Sequence, residues 1–240
     1  MGRSLFLFSF LLFSFSCQEQ PSASSASSSS ALQMVGAMKN VMWKGELDGI
    51  INLDTISDQN GLYGIGPLAG LRGELLINDG QAYVSRVTAD SSMTVEKNFD
   101  VSAPFFVYAN VTDWEEVELP NETFDLQTIQ DYIHDLNWRN NEPYTFKLIG
   151  TVQAAEIHIQ NLAPGSVVSS PKEAHAGQVG YELENEEVEM VGFFSTTHQG
   201  VFVHHDAYTH IHLVTKDEQQ MGHLDGVMFE GSEMTLYLGK

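Results

Sequence analysis

The chain has 240 residues, 42% of them hydrophobic, with a single cysteine and a formal net charge of −21 at pH 7. Lys and Arg number 11 against 32 Asp and Glu, a balance that argues against binding nucleic acid or an anionic membrane surface through a basic patch. One cysteine cannot form a disulfide within the chain, so stability has to come from a packed core.

The first residues are Met-Gly-Arg, followed by a Phe- and Leu-rich apolar run from Leu5 to Phe15 and then Ser16-Cys17. That run is shorter than the ~20 residues of a membrane-spanning helix, and it follows a basic residue, so residues 1–17 read as an export signal peptide. A small residue followed by cysteine resembles the processing site of bacterial lipoproteins. In that pattern Cys17 is lipidated and the chain is a cell-envelope lipoprotein, although Ser14 stands where the pattern has leucine. Plain secretion is the alternative. Residues 18–32 are rich in Ser, Ala and Gln and read as a flexible tether. The remainder, 33–240, is long enough for one large domain, divided here into subdomains of approximately 33–142 and 143–240.

Taken in order, Gly73-Glu74-Leu75-Leu76-Ile77, then Asn78-Asp79-Gly80, then Gln81-Ala82-Tyr83-Val84, has the signature of a β-hairpin. Ser102–Val111 reads as a strand buried on both faces. Leu126, Ile129, Ile133 and Leu136 follow the 3, 4, 3 spacing of one helical face, with Asp125 as N-cap. Tyr144–Gln153 and Glu156–Gln160 read as one broken or bulged ribbon, turned at Pro164-Gly165. Strands are expected at Asn185–Phe194, Val201–His205, Tyr208–Thr215 and Met234–Leu238. The fold class is therefore α+β, predominantly β, with two packed β-sheet subdomains and one clear helix.

Six of the nine histidines lie between His198 and His223. In Tyr208-Thr209-His210-Ile211-His212-Leu213, strand alternation puts His210 and His212 on one face and Ile211 and Leu213 on the other. The polar stretch Lys216–Gln220 would reverse the chain and bring His223 alongside them. A His-x-His pair alone is often a sheet coincidence; the returning third histidine is what points to metal. Three imidazoles with an open fourth position suit a catalytic Zn2+, and iron, manganese or copper would suit the same ligands. No Gly-rich phosphate loop opens a helix, so no cofactor beyond the metal is implied.

His210-Ile211-His212, followed ten residues later by Gly222-His223-Leu224-Asp225, resembles the zinc motif of the α-acetolactate decarboxylases. Gly61-Leu62-Tyr63-Gly64, Gly73-Glu74-Leu75, Asp79-Gly80-Gln81-Ala82-Tyr83, Ala103-Pro104-Phe105 and Val191-Gly192-Phe193 resemble further segments of that family, in the same order. The resemblance implies an acetolactate-decarboxylase-like fold and loss of CO2 from a 2-hydroxy-3-keto acid such as 2-acetolactate, giving acetoin. Loss of CO2 leaves an electron pair that needs a sink, and a Lewis-acidic metal supplies one. By motif position the resemblance makes Glu74 the acid/base group.

Two departures accompany it. The family's active-site arginine falls in a stretch that here reads Ala155-Glu156-Ile157-His158-Ile159, so His158 replaces it, either as a donor to substrate or as partner of a neighbouring carboxylate. The family's second active-site glutamate lies beyond the third histidine, in a C-terminal extension with no counterpart before Lys240. The expected catalytic residues are thus Glu74 and His158, and the expected metal ligands His210, His212 and His223. Two alternatives stand beside the decarboxylase: a non-catalytic metal- or ligand-binding envelope lipoprotein, and a related zinc enzyme acting on another hydroxy-keto compound. The expected partner is a small hydroxy-keto acid. Family analogy adds a homodimer, and Cys17 a lipid anchor as the one link to a membrane.

Overall fold

The computed structural model describes residues 1–2 and 31–240. The expected signal segment from residue 3 onward, Cys17, and residues 18–30 of the tether lie outside the described residues. The chain runs β1 (Gln33–Val35), α1 (Met38–Lys44), β2 (Ile51–Asn52), β3 (Leu62–Pro67), β4 (Glu74–Asn78), β5 (Gln81–Val87), β6 (Met93–Lys97), β7 (Ser102–Ala103) and β8 (Phe106–Asn110). It continues through β9 (Trp114–Glu118), β10 (Thr123–Asp125), α2 (Leu126–Asp135), β11 (Tyr144–Ile159), α3 (Pro171–Ala174), β12 (Val179–Phe194), β13 (Thr209–Thr215), β14 (Met221–Glu230) and β15 (Met234–Gly239). The fold is mostly β, as the alternating apolar pattern leads one to expect.

Two sheets carry the architecture, the first in the order β1-β8-β3-β4-β5-β6 and the second β10-β14-β13-β12-β11-β15-β9. The chain passes from the first to the second between Asn110 and Trp114, so the sheets part earlier than the expected boundary at residues 142–143. The hairpin of β4 and β5 forms as read, with Asn78 opposite Gln81. Asp79 and Gly80 between them both take positive φ, 47° and 78°, the two-residue turn whose twist matches the strands.

Strand β11 is continuous over 16 residues. Its pairing with β12 skips Gln153 and Asn185, where the sequence suggests a break, and Asn185 takes φ 54°. There β11 also changes its other neighbour, from β15 along Phe146–Gly150 to β14 along Ala154–His158. Because β12, β13 and β14 pair in succession, β14 meeting β11 again closes these strands on themselves.

Three readings need correction. Val201–His205 is not a strand but a turn held by an isolated bridge between Gln199 and Val203; its apolar residues Phe202 and Val203 are buried without joining a ladder. Ser102–Val111 is two strands, β7 and β8, parted at Pro104-Phe105, since proline has no N–H to give to a ladder. Helix α1 was not foreseen: at seven residues it is too short for periodicity to register, although Met38, Val41 and Met42 are its buried face.

Candidate metal centre

Strand alternation sorts β13 as the sequence suggests. Ile211 and Leu213 enter the core of the second sheet, while Val214 packs with Tyr63, Ile65 and Leu76 of the first. His210 and His212 share the Val214 face, so they point toward the first sheet. The hairpin then sets His223 of β14 directly opposite His212, and β14 in turn sets His223 opposite His158 of β11. Gly222 permits this approach: a Cβ there would lie 2.6 Å from the carbonyl oxygen of His158.

The four imidazoles form one cluster. Ring centroids lie 5.1 Å apart for His210 and His212, 5.0 Å for His210 and His223, 5.5 Å for His212 and His223, and 4.6 Å for His158 and His223. His204, from the turn before β13, is 5.5 Å from His223. Glu74, at the start of β4 and 2% exposed, comes from the opposite sheet. Its Oε2 is 3.8 Å from Nε2 of His212, its Oε1 is 4.0 Å from Nε2 of His158, and the backbone N–H of Gln160 donates to Oε1 at 3.2 Å. Most of these side chains line a cavity of about 480 Å3 between the sheets.

Sequence reasoning missed Asp225 and Gln160 as parts of this site. Nδ1 of His158 donates to both carboxylate oxygens of Asp225, at 2.7 and 2.8 Å, and Nδ1 of His223 donates at 3.2 Å. Gln160 donates to Nε2 of His158 at 3.3 Å. Of the two roles open to His158, partner of a neighbouring carboxylate is the one made here. A proton on Nδ1 leaves each ring its Nε2 lone pair, and that of His158 takes the Gln160 hydrogen bond.

Burial dominates the electrostatics. It raises the Glu74 carboxyl well above the ordinary range, against the lowering effect of the Gln160 N–H. Burial, reinforced by neighbouring imidazoles, holds His210 and His212 well below their usual value. Burial also lowers His223, to about 4, against the pull of its Asp225 hydrogen bond. Burial alone would raise Asp225, but the hydrogen bonds from His158 and His223 outweigh it and hold its carboxyl low.

The donor set suits a divalent transition metal. Nδ1 of His210 and both ring nitrogens of His212 are buried with no partner at full hydrogen-bond geometry, only the backbone of Phe202 and of Leu75 close by, a costly state for neutral imidazole that coordination would relieve. Among the described residues, the ligand atoms that come within 4.8 Å of one another belong to His158, His223 and Asp225; the trio His210, His212 and His223 does not meet that limit. His223 belongs to both groups.

The fold and site define a class: a two-sheet, mostly β protein with a histidine and carboxylate cavity between its sheets. The family model described as alpha-acetolactate decarboxylase matches residues 34–239, and the chain belongs to that family. The solved structure of alpha-acetolactate decarboxylase from Bacillus subtilis strain 168 superposes with a TM-score of 0.72 at 21% identity, covering 87% of this chain and 84% of that one. A Staphylococcus aureus protein of unknown function, similar to alpha-acetolactate decarboxylase, gives 0.71 at 18% identity, with 86% and 84% covered. At such identities the superpositions establish the fold. No curated protein matches the sequence.

Proposed function

We propose that the chain is a metal-dependent carboxy-lyase acting on a 2-hydroxy-3-keto acid such as 2-acetolactate, yielding acetoin and CO2. The observation that carries this reading is the buried Glu74 carboxyl, brought from one sheet to within 4.0 Å of His158 and His212 on the other, beside His210 and His223. A divalent metal, zinc foremost, held by His210, His212 and His223, would act as a Lewis acid toward negative charge developing on the substrate oxygens.

The chain's own residues supply the rest. Glu74, fixed by the Gln160 N–H, holds a proton at Oε1 or Oε2 for delivery to the carbon that CO2 leaves. His158 is immobilised by Asp225 at Nδ1 and by Gln160 at Nε2, which holds its ring beside the Glu74 carboxyl, 4.0 Å away. The sheets bury Glu74, His210 and His212, which strengthens their polar contacts.

The replacement of the family's arginine by His158 favours a second reading, a related zinc enzyme on another hydroxy-keto compound. An imidazole held at Nδ1 lacks the bidentate fork that matches a carboxylate.

The test is CO2 and acetoin release from racemic 2-acetolactate by the zinc-loaded chain, beside His210→Ala and Glu74→Gln, with metal content measured for each. We expect Glu74→Gln to keep its metal and lose at least a hundredfold in rate, and His210→Ala to lose both. Bound metal without turnover in the parent would overturn acetolactate as substrate.

The motif at Ser16-Cys17 carries a separate proposal, that the chain is an exported, lipid-anchored envelope protein. Palmitate labelling of the chain, abolished in Cys17→Ser, would support the anchor; an unlabelled chain in the medium would support plain secretion.

A further inference from the structure

The cavity is roomier than a hydroxy-keto acid bearing only methyl groups requires. At about 480 Å3 it falls among the pockets of about 300–1,000 Å3 that enclose drug-sized ligands. Its lining also divides by chemistry. Imidazoles and carboxyl groups come from β4, β11, β13 and β14, with His175, His204 and Asp206 from the connecting segments, whereas Met38 and Met42 of α1, with Leu71 and Phe105, supply an apolar wall.

Those four side chains belong to one buried apolar cluster, separate from the cores of the two sheets. The wall adjoins the histidines, since the Phe105 ring centroid is 6.4 Å from that of His210. Helix α1 is held in place by its first N–H groups: Met38 donates to the carbonyl of Val201 and Lys39 to that of Gly200, both at 2.8 Å. This ties it to the turn that leads into β13. Two methionines on a short helix make an adaptable surface, because the unbranched thioether follows the shape of what it meets.

We propose, resting on the decarboxylase reading above, that the substrates are 2-hydroxy-3-keto acids carrying an apolar substituent of three or more carbons at carbon 2. Met38, Met42, Leu71 and Phe105 are its specificity-determining contacts. Each methylene removed from water against this wall should tighten binding about threefold to fourfold.

The test separates binding from turnover. Calorimetry on the zinc-loaded full chain uses 2,3-dihydroxybutanoates with methyl, propyl or pentyl at carbon 2, which lack the keto group and cannot lose CO2. The matching 2-hydroxy-3-ketobutanoates are assayed for CO2 release. We expect affinity to climb from methyl to pentyl by about a hundredfold, with Met42→Phe, checked for folding by thermal melting, cutting the pentyl affinity about tenfold. Trp43→Ala, which changes a residue 62% exposed on the same helix, should leave the series unaltered. Equal affinities along the series, or exclusion of pentyl, would overturn the proposal even if the methyl substrate is decarboxylated. A rising series without CO2 release from any acid would sustain the apolar wall and overturn the decarboxylase reading instead.

Discussion

Asp225 is the residue that β14 has in excess of its partner. Opposite it, the register moves from Glu156 with Gly226 to Ile157 with Leu224, so Asp225 has no facing residue on β11. A bulge of this kind re-aims a side chain, and here it turns one carboxylate onto the Nδ1 atoms of both His158 and His223. An acceptor at that place fixes ring orientation and tautomer and raises the basicity of the nitrogen on the far side. Asp225→Asn is accordingly expected to weaken zinc binding 10- to 100-fold, measured by competition with a chromophoric chelator. An unchanged zinc affinity would remove Asp225 from the metal's surroundings. The spacing His223-Leu224-Asp225 was open to reading as two residues on one strand face; the bulge was not, because it depends on the register of a strand far away in sequence.

Helix α2 shows how a local element serves a distant site. Asp125 accepts from the backbone N–H of Thr128 at 2.8 Å, and the Thr128 hydroxyl accepts from the N–H of Asp125 at the same distance, a reciprocal capping box. From inside the helix, Gln130 Oε1 accepts from the backbone N–H groups of Tyr208 and Thr209, at 2.7 and 3.1 Å, just before His210. Asp125→Ala should lower the melting temperature by ~2–4 °C, read by circular dichroism. The Thr128 bonds hold the Asp125 carboxyl below its ordinary value of 3.8. The cap's contribution is therefore complete above that value and is lost as pH falls through the lower folded one, so the difference between parent and variant should vanish in strong acid. The 3, 4, 3 spacing and the N-cap made this helix legible in the sequence. Its role as a brace for β13 was not, since Gln130 looks like any polar residue on a helix.

The site exists only because two sheets are pressed together. Tyr63, Ile65 and Leu76 of the first share a buried cluster with Val191, Phe193, Val214 and Met221 of the second. Polar ties run along the same seam: Asn78 donates to Glu189 at 2.6 Å, Tyr83 to Glu218 at 2.8 Å, and Lys97 lies 2.7 Å from Glu218. Phe193 is fully buried and stands opposite His210 in the ladder. Phe193→Ala should cost about 3–5 kcal/mol of stability in urea denaturation, through a single transition in which both sheets unfold together. Two separate transitions would show that the sheets are stable independently.

Strand alternation, turn residues and helical spacing are local properties, and from them the sequence by itself determined a mostly β fold, the hairpin at Asp79-Gly80, the capped helix, and His210 and His212 on one strand face. Strand pairing joins residues remote in sequence, and no local pattern encodes which strand meets which or in what register. The tertiary structure alone decided that Glu74 crosses from the first sheet to lie beside His212, that β11 carries His158 to His223, that Asp225 bulges toward both, and that α1 walls the cavity with methionine.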